Sequence, residues 1–529
     1  YNTFQRRAVT RELGKVFGLP KSEIDKLTKN TIQPWELNEL TKLVIKYSNY
    51  IHGFPSHLSI HASGIIVSEK PIAHFTPTFM PPKGYPTIQF DMHIAEDVGL
   101  YKFDILSQRG LGKIKDTITI IEENKLANNT IDIHNIDQLK KDLKIKQILR
   151  TANAIGCFYV ESPAMRMLLT KLQVDNYLGL VAASSVIRPG VAQSGMMQEY
   201  IKRYRNPEKR KEAHPVLLDL MPETFGVMVY QEDVIKVAHN FAGLTLGEAD
   251  KMRRGMSGKY RSRVEFDQVR EKFFYNAVHI NKHSKALTAE VWRQTESFAG
   301  YAFAKGHSAS YAVESYQSLF LKAYYPLAYM VATINNYGGF YSAELYVNEA
   351  KLHGGIIHPP CVNQSQNHTI LNGKNIYLGL NRLHGFNSKT TQIIINERSK
   401  NGDFKNFNDF IDRLVISLEQ ITVLIRIDAF RFTKKTKQNL LWEAHFKLGQ
   451  ASNKINTKDN EYKLQDLFKI QHQDYDIPDL ENSWQEDTFD QIELLGFPLY
   501  SMFSILNTLP SIVPSLINFA SSLPFIVVK

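Results

Sequence analysis

Within Leu100-Tyr101-Lys102-Phe103-Asp104-Ile105-Leu106 an ammonium and a carboxylate stand two residues apart in an apolar, strand-like run. Strand neighbours two apart share a face, so Lys102 and Asp104 point one way while Phe103 and Ile105 point the other. A carboxylate in an apolar strand is costly unless something compensates it. A divalent cation would do so, because carboxylate oxygens suit Mg²⁺. A metal-binding Asp beside a phosphate-binding Lys suits phosphoryl transfer. The plain alternative is a Lys–Asp pair on an exposed edge strand.

A second cluster, from Lys251 to Arg263, holds six cations and no acid. Its adjacent Arg253 and Arg254 carry planar forks that match phosphate oxygens two at a time. Gly255, Ser257 and Gly258 break the run, which favours a turn between two helices and a ligand cradle. The alternative is a solvated basic face. Further on, Phe298–Tyr311 interleaves aromatics with Lys305 and His307, a composition that could stack a base and touch a phosphate. A packed corner between helices, with His307 capping one of them, explains the same residues. Ser185–Gly190 with Gln193-Ser194-Gly195 reads as a turn carrying Arg188 and several donors, and an ordinary surface turn accounts for it.

Leu383-His384-Gly385-Phe386-Asn387-Ser388-Lys389-Thr390 resembles the helix-hairpin-helix consensus. Such a hairpin turns backbone N–H groups toward a DNA phosphate, so it binds without reading sequence. Gly385, Asn387 and Lys389 are its expected DNA-binding positions. Asn387 stands where a second glycine is usual, and Asn tolerates a left-handed backbone. Ile425–Phe430 reads as a degenerate second copy. His52, His57 and His61 invite a metal reading, but no Cys or acid clusters with them, so structural histidines are expected. No G-x-x-x-x-G-K-[ST] phosphate loop is present, which weakens an ATPase reading.

These residues need a scaffold, and the pattern outlines one. Residues 1–59 read as helical with a polar linker at Thr28–Pro34. Gly64–Val67, Thr87–Met92 and Gly99–Leu106 read as strands. Helical periodicity resumes over 111–355, and Asn372–Leu380 reads as a hairpin, followed by helices to about 450. After Lys469 no Lys or Arg occurs until Lys529, while Asp474, Asp476, Asp479, Glu481, Glu486, Asp487, Asp490 and Glu493 accumulate. From Leu494 to Val528 there is no charge, but Pro510, Pro514 and Pro524 argue against one membrane-crossing helix.

The bulk properties set the outer bounds. A chain of 529 residues exceeds the size at which one core stops growing, so several domains are expected. Hydrophobic residues at 43% and charged residues at 22% exclude the disordered class. Lys and Arg outnumber Asp and Glu by 63 to 53, which permits a polyanionic partner. Two cysteines, Cys157 and Cys361, allow neither a disulfide framework nor a Cys-rich zinc site, and a reducing, cytoplasmic location is expected. No signal-peptide pattern opens the chain, and it begins with Tyr1 rather than Met, as a fragment or processed piece would.

Taken in order, the blocks HASG at His61, YKFD at Tyr101, ESPAMR at Glu161, RPGVAQSG at Arg188, VYQEDV at Val229, EADKMRRGM at Glu248 and FAKGHSASYA at Phe303 resemble the bacterial DNA polymerase III alpha subunits, the family C polymerases. The resemblance runs over roughly residues 1–500. It implies a predominantly helical α+β multidomain polymerase with a partial nucleotidyltransferase-like palm sheet, large helical fingers and tandem helix-hairpin-helix. The implied domains are a thumb-like helical segment at 1–59, the C-terminal part of the palm at 60–110 and fingers at 111–365. A duplex-binding tandem hairpin follows at 366–450, a clamp-peptide region and acidic linker at 451–495, and the start of a C-terminal barrel at 496–529.

By the same resemblance Asp104 matches a catalytic, metal-binding palm aspartate. Lys102, Arg253 and Arg254 match residues that contact the incoming triphosphate. Mg²⁺ is the implied cofactor. Primer–template DNA, deoxynucleoside triphosphates and other holoenzyme subunits are the implied partners, and Leu464-Gln465-Asp466-Leu467-Phe468 resembles the family's sliding-clamp peptide. No membrane partner is implied. In the family two further aspartates lie in an Asp-x-Asp motif upstream of the part that resembles residues 1–30, so this chain alone is expected not to extend a primer. The alternatives are a DNA-binding fragment without chemistry and one half of a split polymerase.

Overall fold

Why the chain turns where it does is written in a few short polar signals. In the computed structural model, residues 2–28, 35, 37–61, 63–81, 84–105, 108–127, 131–187, 195–256, 263–299, 304–452 and 483–499 are described, those at 92–93, 263–265, 297–299 and 449–452 by backbone alone. They form a predominantly helical α+β protein that divides into two compact units, Tyr1–Gln108 and Arg109–Lys529.

In the first unit the helices Arg6–Val16, Lys21–Thr28 and Glu39–Ile51 enclose a small core of Leu19, Ile24, Leu27 and Val44. Asn38 caps the third helix by accepting the Thr41 N–H at 2.8 Å. The strand Gly64–Val67 pairs antiparallel with Tyr101–Asp104 in the register Gly64↔Asp104, Ile65↔Phe103, Ile66↔Lys102 and Val67↔Tyr101. Directly opposed residues share a face, so Ile65, Val67, Tyr101 and Phe103 form one side of the ladder, and all four are exposed. The strand expected over Thr87–Met92 is only Thr87–Ile88; a helix, Met92–Asp97, replaces its end. The cause is Asp91, whose carboxylate accepts the Ile94 N–H at 3.0 Å and starts the helix. Gly99, at φ +83°, closes that helix and turns the chain into the strand Tyr101–Asp104.

In the second unit the helix Pro326–Asn335 is buried along most of its length and packs on Arg109–Glu123, Lys305–Tyr324 and Ala343–Leu352. Three further helices begin at side-chain caps: Asp142 for Leu143–Thr151, Ser162 for Pro163–Leu172 and Asn176 for Tyr177–Val186. A three-stranded sheet follows, with Ile356–His358 parallel to Asn375–Tyr377, which in turn pairs antiparallel with Ile370–Asn372. The last two strands form a hairpin over 370–377, beginning and ending a few residues before the Asn372–Leu380 read from the sequence. The helices Ser388–Asn401, Phe407–Arg413, Leu418–Arg426, Lys437–Ser452 and Trp484–Leu495 complete the unit. Edge-to-face contacts of Phe430 with Phe407 and Phe410, at 5.0 and 4.9 Å, tie the helix Phe407–Arg413 to the turn that follows Leu418–Arg426.

Among the described residues no helix is long and apolar enough to cross a membrane. The Thr28–Pro34 linker beyond Thr28, the Arg188–Ser194 turn, Ser257–Ser262, the clamp-like peptide Leu464–Phe468 and the uncharged tail from residue 500 lie outside the described residues.

Candidate functional site

On the ladder of the first unit, Lys102 Nζ lies 2.9 and 2.8 Å from the two carboxylate oxygens of Asp104. The hydrogen bond from Lys102 holds the Asp104 carboxyl below its usual range. The strand is open to solvent rather than closed in an apolar layer: the Asp104 side chain is 46% exposed. Its charge is therefore compensated by water and by Lys102, and the local geometry matches the Lys–Asp pair that the sequence left as an alternative. His61 adds a third group. Its Nδ1 accepts the Gly64 N–H at 2.7 Å and stands 3.6 Å from Asp104 Oδ1. Gly64 is needed there, because a Cβ would come within 2.9 Å of the His61 ring and 3.4 Å of the Lys102 stem. His57 bonds Asn2 and Ser56, as a structural histidine does.

In the second unit Arg253 and Arg254 end the helix Leu246–Met256. They share an acidic partner on it. Asp250 Oδ1 accepts from Arg253 Nε and Nη2 at 3.0 and 2.8 Å, and Asp250 Oδ2 lies 2.8 Å from Arg254 Nη2. One carboxylate thus gathers both guanidinium groups. Asp250 stands one residue before the acid-free run that starts at Lys251, so the basic cluster alone does not include it. The spacing of three and four from Asp250 to the two arginines is the signal that could have found it. A guanidinium has five N–H groups, more than a shared carboxylate can accept.

Lys305 starts the helix Lys305–Tyr324, and its backbone N–H donates to both Glu232 carboxylate oxygens at 3.1 and 3.0 Å. Its ammonium reaches Glu223 at 2.5 Å and lies 5.3 Å from the centre of the Tyr230 ring. Tyr311 packs on Phe158 and Tyr159, and Ser308 Oγ bonds the buried Ser185 Oγ at 2.6 Å. This is the packed corner between helices. The cap is Glu232 rather than His307.

The hairpin of Leu383–Thr390 is present, with Gly385 at φ +73°. Asn387 takes an extended backbone and not a left-handed one, so it does not stand in for glycine; its Oδ1 caps the next helix by accepting the Lys389 N–H at 2.8 Å. Gln420 pins the turn from the neighbouring helix. Its Oε1 accepts the Asn387 N–H at 2.7 Å, and its Nε2 donates to the Gly385 carbonyl at 2.9 Å. The Asn387 N–H expected to face a phosphate is therefore bonded inside the protein. Nothing in the sequence points to Gln420, which is 33 residues away from Asn387. The second turn follows the helix Leu418–Arg426, with Asp428 at φ +62° in the left-handed position.

No group of three or more His, Cys, Asp or Glu side chains among the described residues is placed to hold a metal ion. Lys102 and Asp104 belong to the first unit, while Arg253, Arg254, Gly385, Asn387 and Lys389 belong to the second.

Comparison with known proteins orders these features. Residues 1–107 match the family model of the bacterial DNA polymerase III alpha NTPase domain, residues 110–281 that of the bacterial DNA polymerase III alpha subunit finger domain, and residues 354–440 a helix-hairpin-helix motif. The DNA polymerase III subunit alpha of Aquifex aeolicus (strain VF5) is 31% identical over 434 residues, which is 81% of this chain and 37% of the relative. That of Staphylococcus aureus (strain COL) is 30% identical over 456 residues, 82% of this chain and 42% of the relative. The chain thus spans about two fifths of the length of the curated relatives it matches. The chain belongs to the bacterial DNA polymerase III alpha subunit family.

Proposed function

We propose that this chain serves template-directed DNA synthesis by binding phosphates: Arg253 and Arg254 grip the incoming deoxynucleoside triphosphate, the hairpin at Gly385–Lys389 holds the duplex, and Lys102, in the first unit, is by the family resemblance a phosphate contact as well. The observation that carries the reading is the Asp250 fork. Two adjacent guanidinium groups are gathered on one helix end by a shared carboxylate, and planar forks held side by side match phosphate oxygens two at a time. Holding them in advance reduces the ordering cost when a triphosphate arrives.

The family reaction is attack of a primer 3′-hydroxyl on the α-phosphate of a deoxynucleotide, with pyrophosphate as leaving group. Mg²⁺ would supply charge stabilisation for the attacking and leaving oxygens. The described residues do not fit two such ions. Asp104 is a single carboxylate, and both of its oxygens already accept from Lys102. What the chain's own residues do is bind and orient phosphate groups. Sliding-clamp binding through Leu464–Phe468, and contact with other holoenzyme subunits, belong to the same proposal.

The purified chain is accordingly expected not to extend a primer. The test is incorporation on a primed template with Mg²⁺ and all four deoxynucleotides. No product is expected; clear incorporation that disappears in Asp104→Ala would overturn the assignment.

A further inference from the structure

The end of the acidic segment is a helix, Trp484–Leu495, and it lies against the helix Leu418–Arg426 that enters the second hairpin. Arg426, at the end of the helix that enters that hairpin, bonds Asp490 through Nε at 2.7 Å and Glu493 through Nη2 at 2.5 Å. Lys437, at the start of the helix that leaves it, stands 2.7 Å from Asp487 and 3.4 Å from Asp490. Gln438 donates to Glu486 at 3.0 Å. Three carboxylates on successive turns thus meet Arg426 and Lys437, the cations at the end of the entering helix and at the start of the leaving one.

This helix is anchored rather than loosely laid on. Leu494, Leu495, Phe497 and Leu499 are buried in the main core. The Leu494 carbonyl accepts the His384 N–H at 2.8 Å, which joins the helix to the first hairpin as well. In the second turn itself the N–H groups of Asp428 and Ala429 bond the carbonyls of Ile425 and Leu424, both at 2.9 Å, and so close the helix. Backbone donors are bonded inside the protein at both hairpins, as at Asn387 in the first; what sets the second apart is that Arg426 and Lys437 are paired with carboxylates as well.

We propose that the acidic helix Trp484–Leu495 takes the place of a nucleic-acid backbone on the second hairpin, so that Arg426 and Lys437 hold this helix and only the first hairpin meets duplex DNA. The proposal rests on the duplex-binding reading above and makes the tandem functionally asymmetric. In this arrangement the acidic segment keeps a cationic surface from binding polyanions indiscriminately.

The experiment measures the affinity of the full chain for a primer–template duplex across a salt series, with two variants. Arg426→Gln/Lys437→Gln is expected to leave both affinity and salt slope at the values of the unmodified chain. Asp487→Asn/Asp490→Asn/Glu493→Gln, which keeps the apolar anchors, removes the carboxylate charges that face Arg426 and Lys437. It is expected to raise affinity roughly tenfold and to steepen the log–log salt slope by about two, since each phosphate contact adds about −0.9. Circular dichroism confirms that each variant is folded; if the second variant is not, the first decides alone. Loss of affinity in Arg426→Gln/Lys437→Gln overturns the proposal, and so does an unchanged slope in a folded Asp487→Asn/Asp490→Asn/Glu493→Gln. Failure of the unmodified chain to bind duplex even at low salt counts against the duplex-binding reading instead, which separates the two.

Discussion

Lys102 closes on Asp104 along one face of the Gly64–Val67/Tyr101–Asp104 ladder, its ammonium within 2.9 Å of both carboxylate oxygens. The pair is open to water, so its worth lies in orientation rather than in stability. The lysine hydrogen bond lowers the Asp104 pKa, and the carboxylate consequently stays ionised as pH falls through the ordinary Asp range. In Lys102→Met that carboxyl is expected to titrate at higher pH, toward the usual Asp value of about 3.9. Carboxyl carbon NMR over an acid titration reads this directly. A melting temperature that does not move between the two proteins is the companion expectation.

The fork at Asp250 predicts selectivity. Arg253→Ala/Arg254→Ala removes two charge-assisted donor groups from the nucleotide, each worth about 1.5–3 kcal/mol. In a complete polymerase of this family that carries the matching pair, deoxynucleotide binding is expected to weaken at least about tenfold, with duplex affinity little changed. Equilibrium titrations with nucleotide and with primer–template separate the two. Equal losses would mean that the arginines serve the duplex.

Gln420 predicts a coupling between neighbouring segments. Its amide makes both bonds that fix the Gly385–Asn387 turn. Gln420→Ala is expected to cost about 1–2 kcal/mol of stability by denaturant unfolding, the sum of two ordinary hydrogen bonds. Duplex affinity should fall with it, because the turn that carries Lys389 is no longer held.

A pH dependence follows from Glu314. Burial pushes its carboxyl up to about 7, with Lys113 opposing the shift, and its Oε1 is enclosed without a hydrogen-bond partner. A raised carboxyl pKa means that the folded state keeps a proton that the unfolded state gives up. Stability is therefore fully present below the unfolded value near 4.5 and is lost as pH rises toward about 7. Glu314→Gln is expected to match the parent at pH 4 and to exceed it at pH 8 by about 1–2 kcal/mol, less than the full shift because the group is only partly buried. Urea unfolding at the two pH values checks both halves.

The sequence made legible what short-range rules govern. The strands around Gly64 and Asp104, the hairpin at 370–377 and the turn at Gly385 all follow from local composition. So does the helical class of the chain. The end of the Thr87 strand gives way to one capping residue, Asp91, whose effect outweighs the extended propensity around it. Partners brought by tertiary packing were not legible. Gln420 at the Asn387 turn, Glu232 at the start of the Lys305 helix and the acidic helix on Arg426 depend on distances that no local pattern encodes. Asp250 lies between these cases: its helical spacing from Arg253 is visible in the sequence, but it sits just outside the basic run that draws attention to the arginines.

The proposed function requires this chain to hold nucleic acid through phosphate contacts. The most direct test is the affinity of the purified chain for a primer–template duplex between about 50 and 200 mM salt. A steep fall is expected, on the order of a hundredfold or more for several phosphate contacts, independent of base sequence. Binding that is flat over that range, or absent at its lower end, would contradict the account.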